Sequence, residues 1–123
     1  IPAFQRVRDV DRPLGRVLVT GAAGFVGRWL LPALWEAGAS SVTALATETE
    51  PGGAVGDAAA TSATRWMLGD LRDDAYVTRV VRQAAADTVV HLAAVSHVPT
   101  AAADPMLAWD INVTATARLL HAL

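Results

Sequence analysis

A chain of 123 residues, 53% of them apolar, is the size of one domain and has enough apolar side chains to bury a core. The formal charge of −2 gives no sign of a nucleic-acid surface, and the absence of cysteine excludes a disulfide framework and thiolate chemistry. Charged residues and glycines interrupt every apolar run well short of the roughly 20 residues that span a bilayer, and no signal-peptide pattern precedes the first apolar run. The expectation is therefore a cytoplasmic protein with neither membrane nor nucleic acid as a partner.

Residues 1–15 are charged and irregular, with Pro2 and Pro13, and read as a lead-in. The run RVLVT (16–20) is β-branched and apolar, a buried strand. It is followed by Gly21-Ala22-Ala23-Gly24-Phe25-Val26-Gly27. A helix over 25–38 then places Val26, Leu30, Leu34 and Ala37 on one face, with Gly38 as its stop and Pro32 as the place for a kink. Residues 41–47 read as a second strand, and the Gly/Ala/Thr-rich stretch 48–63 as a loop.

A third strand is expected over 64–70. A helix over 72–84 carries Tyr76, Val77, Val80, Val81 and Ala84 on one face. The run DTVVHLAA (87–94) is a fourth strand, apolar enough for burial on both faces. Asp104 and Pro105 mark the cap and first position of a last helix running to the end. Its inner face is read as Leu107, Ile111, Leu119 and Leu120 with small Ala115 and Ala122, and Trp109 is also expected in the core. Alternation of strand and helix implies a doubly wound parallel sheet, an α/β Rossmann-type fold truncated after about four strands. The chain opens at Ile1 and stops at Leu123 inside a helical pattern, so it reads as the N-terminal part of a longer protein. Residues 16–123 are read as one domain of it, and the open sheet edge favours a homo-oligomer.

The glycine spacing ends a strand and opens a helix, which is the context of a dinucleotide fingerprint. Gly21 permits the turn, Gly24 lets the backbone approach a pyrophosphate, and Gly27 lets the helix lie close to the strand. Phosphate would sit at the helix N-terminus, where unpaired amides and the macrodipole favour an anion. A glycine-rich turn with no ligand is the alternative.

Written T-G-x-x-G-x-x-G, this segment resembles the extended branch of the short-chain dehydrogenase/reductase superfamily, the NAD-dependent epimerase/dehydratase family. GDLRD (69–73), HLAAVSHV (91–98), Asp104-Pro105 and NVTATARLLHAL (112–123) carry the same resemblance in family order, with Ala115 in place of the usual glycine. The wording of 91–98 is most similar to the GDP-mannose 4,6-dehydratase and GDP-4-keto-6-deoxymannose reductase group.

The resemblance implies a cofactor site of Gly21, Ala23, Gly24, Phe25, Val26 and Gly27, completed by Asp70, Leu71, Leu92, Ala93, Ala94 and Ser96. Asp70 would hold the adenine amino group; in isolation an Asx turn or helix cap is the better account of it, and the glycine loop upstream turns the balance to adenine. Leu71 would pack on the adenine, and Leu92, Ala93 and Ala94 would line ribose and phosphates. Ser96 and His97 would reach cofactor or sugar, and Asn112 would order the site through backbone contacts.

The cofactor is NAD or NADP. The acid that holds an NAD ribose is missing at Ala46 and Thr47, with Glu48 one step later and Arg28 the nearest cation for an extra phosphate. The missing acid tilts the choice to NADP. The family's catalytic Tyr-x-x-x-Lys pair is absent: Tyr76 is the one tyrosine, Val80 stands four residues on, and all ten basic residues are arginine. The chain is thus expected to be the cofactor half, inactive alone, of a nucleotide-sugar epimerase, dehydratase or reductase whose substrate is a nucleotide-diphosphate sugar. A non-catalytic NAD(P)-binding regulatory or scaffold module is the alternative. No metal site is expected.

Overall fold

The computed structural model describes residues 13–47 and 63–123. Most of the lead-in, most of the 48–63 loop, and Glu48 lie outside the described residues. Four strands form one sheet: β1 (Arg16–Thr20), β2 (Ser41–Ala46), β3 (Arg65–Leu68) and β4 (Thr88–His91). Their order is β3-β2-β1-β4 and every pairing is parallel. Thr20 lies level with Leu45 on one side and with His91 on the other. Each strand is no longer than the apolar run that suggested it, and β2, β3 and β4 are shorter, because pairing stops where the chain bends into the loops at the sheet edge.

Helix α1 (Phe25–Glu36) covers one face of the sheet. Val17, Val19, Val42 and Ala44 pack there against Leu31 and Leu34. The opposite face buries Leu18 and Leu45 under α2 (Asp74–Ala84) and α5 (Ala115–Ala122), whose contributions include Tyr76, Val77, Val80, Ala115 and Leu119. Successive β1 side chains thus feed opposite cores, as the two-residue period of a strand requires. At ~25 cal/mol per Å² of apolar surface buried, each fully enclosed Val or Leu is worth about 1.5–3 kcal/mol.

Several expected faces are rotated. On α1 the buried set is Gly27, Leu31 and Leu34, whereas Val26 is 57% exposed and Ala37 is on the surface. The contact line with the sheet begins at Gly27, one residue past Val26, and the first turn faces a cleft instead. Pro32 sits within α1, which continues to Glu36.

The last helix runs from Pro105 to Ala122 as expected, with one π-helical turn inside it. A short α3 (Val98–Ala103) precedes α4 (Pro105–Trp109), a π-helical turn spans Asp110–Thr114, and α5 follows. Asp104 Oδ1 accepts from Leu107 N at 2.9 Å, so the expected cap is present. Leu107, Ile111, Ala115 and Leu119 follow a four-residue stride; Ala115 and Leu119 are buried and the first two half-buried. Trp109 and Leu120 fall off that line and are 59% and 68% exposed, not core. No described helix is long and apolar enough to cross a membrane.

Candidate functional site

The strand order places the topological switch between β1 and β4, where the chain leaves β1 to one side and β4 is added on the other. In open parallel sheets, ligands bind beyond the strand C-termini at this point. The glycine loop follows β1 and residues 92–97 follow β4, so the two loops face each other across the switch. Gly21 adopts φ +66°, and a Cβ there would stand 2.6 Å from Ala93 N. A Cβ on Gly27 would collide with the Ala22 carbonyl. Both positions therefore require glycine, one for the left-handed turn and the close approach, the other for the helix-to-loop contact.

Backbone bonds fix the rest of the rim. Leu92 N donates to Thr20 O at 3.1 Å, Ala22 N to Leu45 O at 3.1 Å, and Gly69 N to Ala46 O at 3.0 Å. The result is a cleft of about 630 Å³, within the range of small-molecule sites. Gly21, Ala23, Gly24, Phe25, Val26 and Gly27 line one wall, Asp70 and Leu71 the second, and Leu92, Ala93, Ala94 and Ser96 the third. All of the residues expected to touch the cofactor border this one space except His97. Leu45, Ala46, Thr47, Gly69, Arg72, Leu107 and Ile111 line it as well.

The N-terminus of α1 opens into the cleft. Its cap is Gly24, which offers no side-chain acceptor, and its first turn contains no acid. Helix geometry leaves the first-turn amides without intrahelical acceptors. That arrangement suits an anion, and so the residues present fit a dinucleotide pyrophosphate.

Asp70 is more engaged than the sequence suggests. Its Oδ1 accepts from Arg72 N at 2.8 Å, and its Oδ2 from Arg72 Nε at 2.9 Å and Nη2 at 2.5 Å. The Arg72 hydrogen bonds hold the carboxyl below the usual range, so it is ionised at neutral pH. The Asx-turn geometry and the position on the cleft wall hold together. Arg72 was not singled out in the sequence, although the Asp-x-Arg spacing is its signal.

Asn112 lies in the π turn and outside the cleft lining. Its Oδ1 accepts from Val95 N at 2.7 Å and its Nδ2 donates to Val95 O at 3.1 Å. It thereby pins the loop between Ala94 and Ser96. His97 is turned to its own helix, with Nδ1 2.9 Å from Thr100 Oγ1, and is not part of the lining. Tyr76 is buried on α2, and its hydroxyl donates to Met67 O at 2.8 Å. Burial raises its pKa, so it remains a phenol away from the cleft. Among the described residues no cluster of histidine and carboxylate side chains could hold a metal ion.

The architecture is a Rossmann-type α/β sheet with a nucleotide-sized cleft at its switch point. Residues 17–123 match the NAD dependent epimerase/dehydratase family, and the chain belongs to it. It is 41% identical over 109 residues to a dTDP-glucose 4,6-dehydratase of Mycolicibacterium smegmatis, an alignment covering 88% of this chain and 32% of that protein. A GDP-mannose 4,6-dehydratase of Sordaria araneosa is 42% identical over 55 residues, 45% of this chain and 10% of that one. Among solved structures, the Thermus thermophilus UDP-glucose 4-epimerase in complex with NAD superposes with a TM-score of 0.73 and 32% identity, over 87% of this chain and 33% of that one. The chain therefore spans about a third of the length of its relatives.

Proposed function

We propose that this chain is the cofactor-binding part of an NAD(P)-dependent enzyme that acts on a nucleotide-diphosphate sugar as a dehydratase, epimerase or reductase. The observation that carries the reading is the uncapped N-terminus of α1 opening into the cleft at the switch point, between glycines that tolerate no side chain. The first-turn amides would hold the pyrophosphate, Asp70 and Leu71 would border the adenine, and Leu92, Ala93 and Ala94 would border ribose and phosphate. Bound there, the nicotinamide would supply hydride exchange with a sugar carbon. The protein's part is to bind and orient it.

Neither Tyr76, engaged with Met67 O, nor any lysine is available here as the acid/base pair, so proton transfer belongs to residues beyond this segment of the whole enzyme. Non-acidic Ala46 and Thr47 at the cleft rim support NADP alongside NAD. Exposed Met106, Trp109, Val113 and Leu120 on the C-terminal helices support assembly of the whole protein into a homo-oligomer. The lack of cysteine is in keeping with a reducing, cytoplasmic setting.

Titration of NADH and NADPH into wild type and Gly24→Val tests the reading. A Cβ at Gly24 would meet one protein atom, Gly21 O at 3.2 Å, a tight contact that a shift of a few tenths of an ångström relieves, and a branched side chain there would fill the phosphate position. Affinity should fall at least about tenfold while stability changes by no more than about 1 kcal/mol. Equal affinity in the two proteins would remove the glycine loop from the site. The preferred nucleotide of wild type decides between NAD and NADP. Turnover of a nucleotide sugar by this chain alone would contradict the assignment of proton transfer to residues elsewhere.

A further inference from the structure

His91 closes β4 and lies level with Thr20, the last residue of β1, at the root of the glycine loop. Its Nδ1 is 2.5 Å from Thr20 Oγ1 and its Nε2 is 2.9 Å from Thr116 Oγ1 on α5. The surrounding bonds determine where the protons are. The Thr116 hydroxyl donates to Asn112 O at 2.8 Å, so it must accept from His91 Nε2–H. Thr20 Oγ1 accepts from Ala93 N at 3.2 Å, and its own proton is directed at Nδ1. A single chain of donors and acceptors thus runs from Asn112 O through Thr116, His91 and Thr20 to the Ala93 amide. It works for one tautomer, the neutral imidazole with its proton on Nε2.

We infer that His91 is a positioning residue for the nucleotide cleft: in that neutral tautomer it sets the distance between the glycine loop and the loop after β4 by bridging Thr20 to the C-terminal helix. This rests on the nucleotide reading above. Protonating Nδ1 would turn it into a second donor facing Thr20 Oγ1. The Thr20 hydroxyl, wholly buried, would then lose its acceptor. The bond from Ala93 N to the same oxygen would be disturbed, and Ala93 both lines the cleft and touches Gly21.

The titratable and charged groups on the surrounding elements are Arg16 on β1, Asp87 before β4, Asp74, Tyr76, Arg79 and Arg82 on α2, His97 in the following loop, and Asp104, Asp110, Arg118 and His121 on the C-terminal helices or their cap. Arg16 pairs with Asp87 at the far end of the strands, and Arg118 with Asp74. Burial alone lowers the imidazole pKa below 6.5. The folded state therefore disfavours the proton, and the bridge is intact above about pH 6.5 and is lost as pH falls through the lower folded value.

The test has a readout without ligand and one with NAD+. In the ligand-free chain, ring-nitrogen NMR should report the Nε2–H tautomer at neutral pH. The Ala93 amide resonance should move with the same midpoint as the His91 ring. NAD+ affinity should fall about fivefold as pH drops from neutrality through the midpoint that the His91 ring itself reports, the worth of one disturbed buried hydrogen bond. His91→Phe should bind about fivefold more weakly at neutral pH, with a flat profile across this range. Thr20→Ser should keep the wild-type profile and Thr20→Val should lose it. An Nδ1–H tautomer, an Ala93 amide indifferent to the ring, or a wild-type pH profile in His91→Phe would overturn the inference. Failure of wild type to take up either NAD+ or NADP+ would instead overturn the nucleotide reading, while the ring and amide titrations still decide the geometry.

Discussion

Helices α1 and α2 each begin just beyond the C-terminal end of a strand, yet they treat their first turns in opposite ways. At α2 the Asp73 side chain accepts from Ala75 N and Tyr76 N at 2.9 and 3.2 Å, and Asp74 adds a negative charge in the first turn. Two of its first-turn amides are thus satisfied from within the chain. At α1 the cap is a glycine, there is no side-chain cap and no acid. A helix end without an internal partner needs water or a ligand. The comparison teaches that the site is recognised as much by what α1 lacks as by its glycines.

The largest effect expected on this contrast comes from Gly27→Val. A side chain there would drive α1 away from the Ala22 carbonyl and should cost about 3 kcal/mol or more, read as a fall in the urea midpoint. A near-neutral result would mean that α1 need not lie close to the loop. Next comes Phe25→Glu, which gives α1 the acidic first turn that α2 already has. It should lower dinucleotide affinity roughly tenfold through repulsion of the pyrophosphate while raising stability by about 0.3–1 kcal/mol. Phe25→Gln separates charge from loss of the ring. Affinity unchanged by the new carboxylate would show that no anion binds at this end. Asp73→Ala is the mirror experiment and the smallest effect. Losing the cap should cost about 1 kcal/mol of stability and leave dinucleotide affinity as it was. A matching loss of affinity would make α2 part of the site.

Local chemistry was legible in the sequence where a residue type has one dominant physical use. The glycine loop, Asp104 with Pro105, and the inner face of α2 are read directly from such signals, and all the cleft-lining residues named from the family pattern border one space. Phase along a helix was less legible. Val26, Trp109 and Leu120 are apolar and still face outward, because which apolar residue lies inward depends on where the helix touches the sheet. The π turn and α3 carry no periodic signal over so few residues. The part played by His91 was out of reach for another reason. Its partners, Thr20 and Thr116, are set by strand register and by the docking of α5, and neither is a local property. In the sequence His91 is only a polar residue inside an apolar run.

The parallel register of β1 and β4 also governs when this domain can acquire its shape. Val17 pairs with Thr88 and Thr20 with His91, so one entire side of β1 waits for strand partners made much later on the ribosome. Contacts so distant in sequence carry a heavy loop-closure cost and form slowly. Gly21, though made early, has its close neighbour Ala93 in that late segment. The loop that looks like the most local motif in the chain therefore gains its close neighbour only once β4 has been added to the sheet.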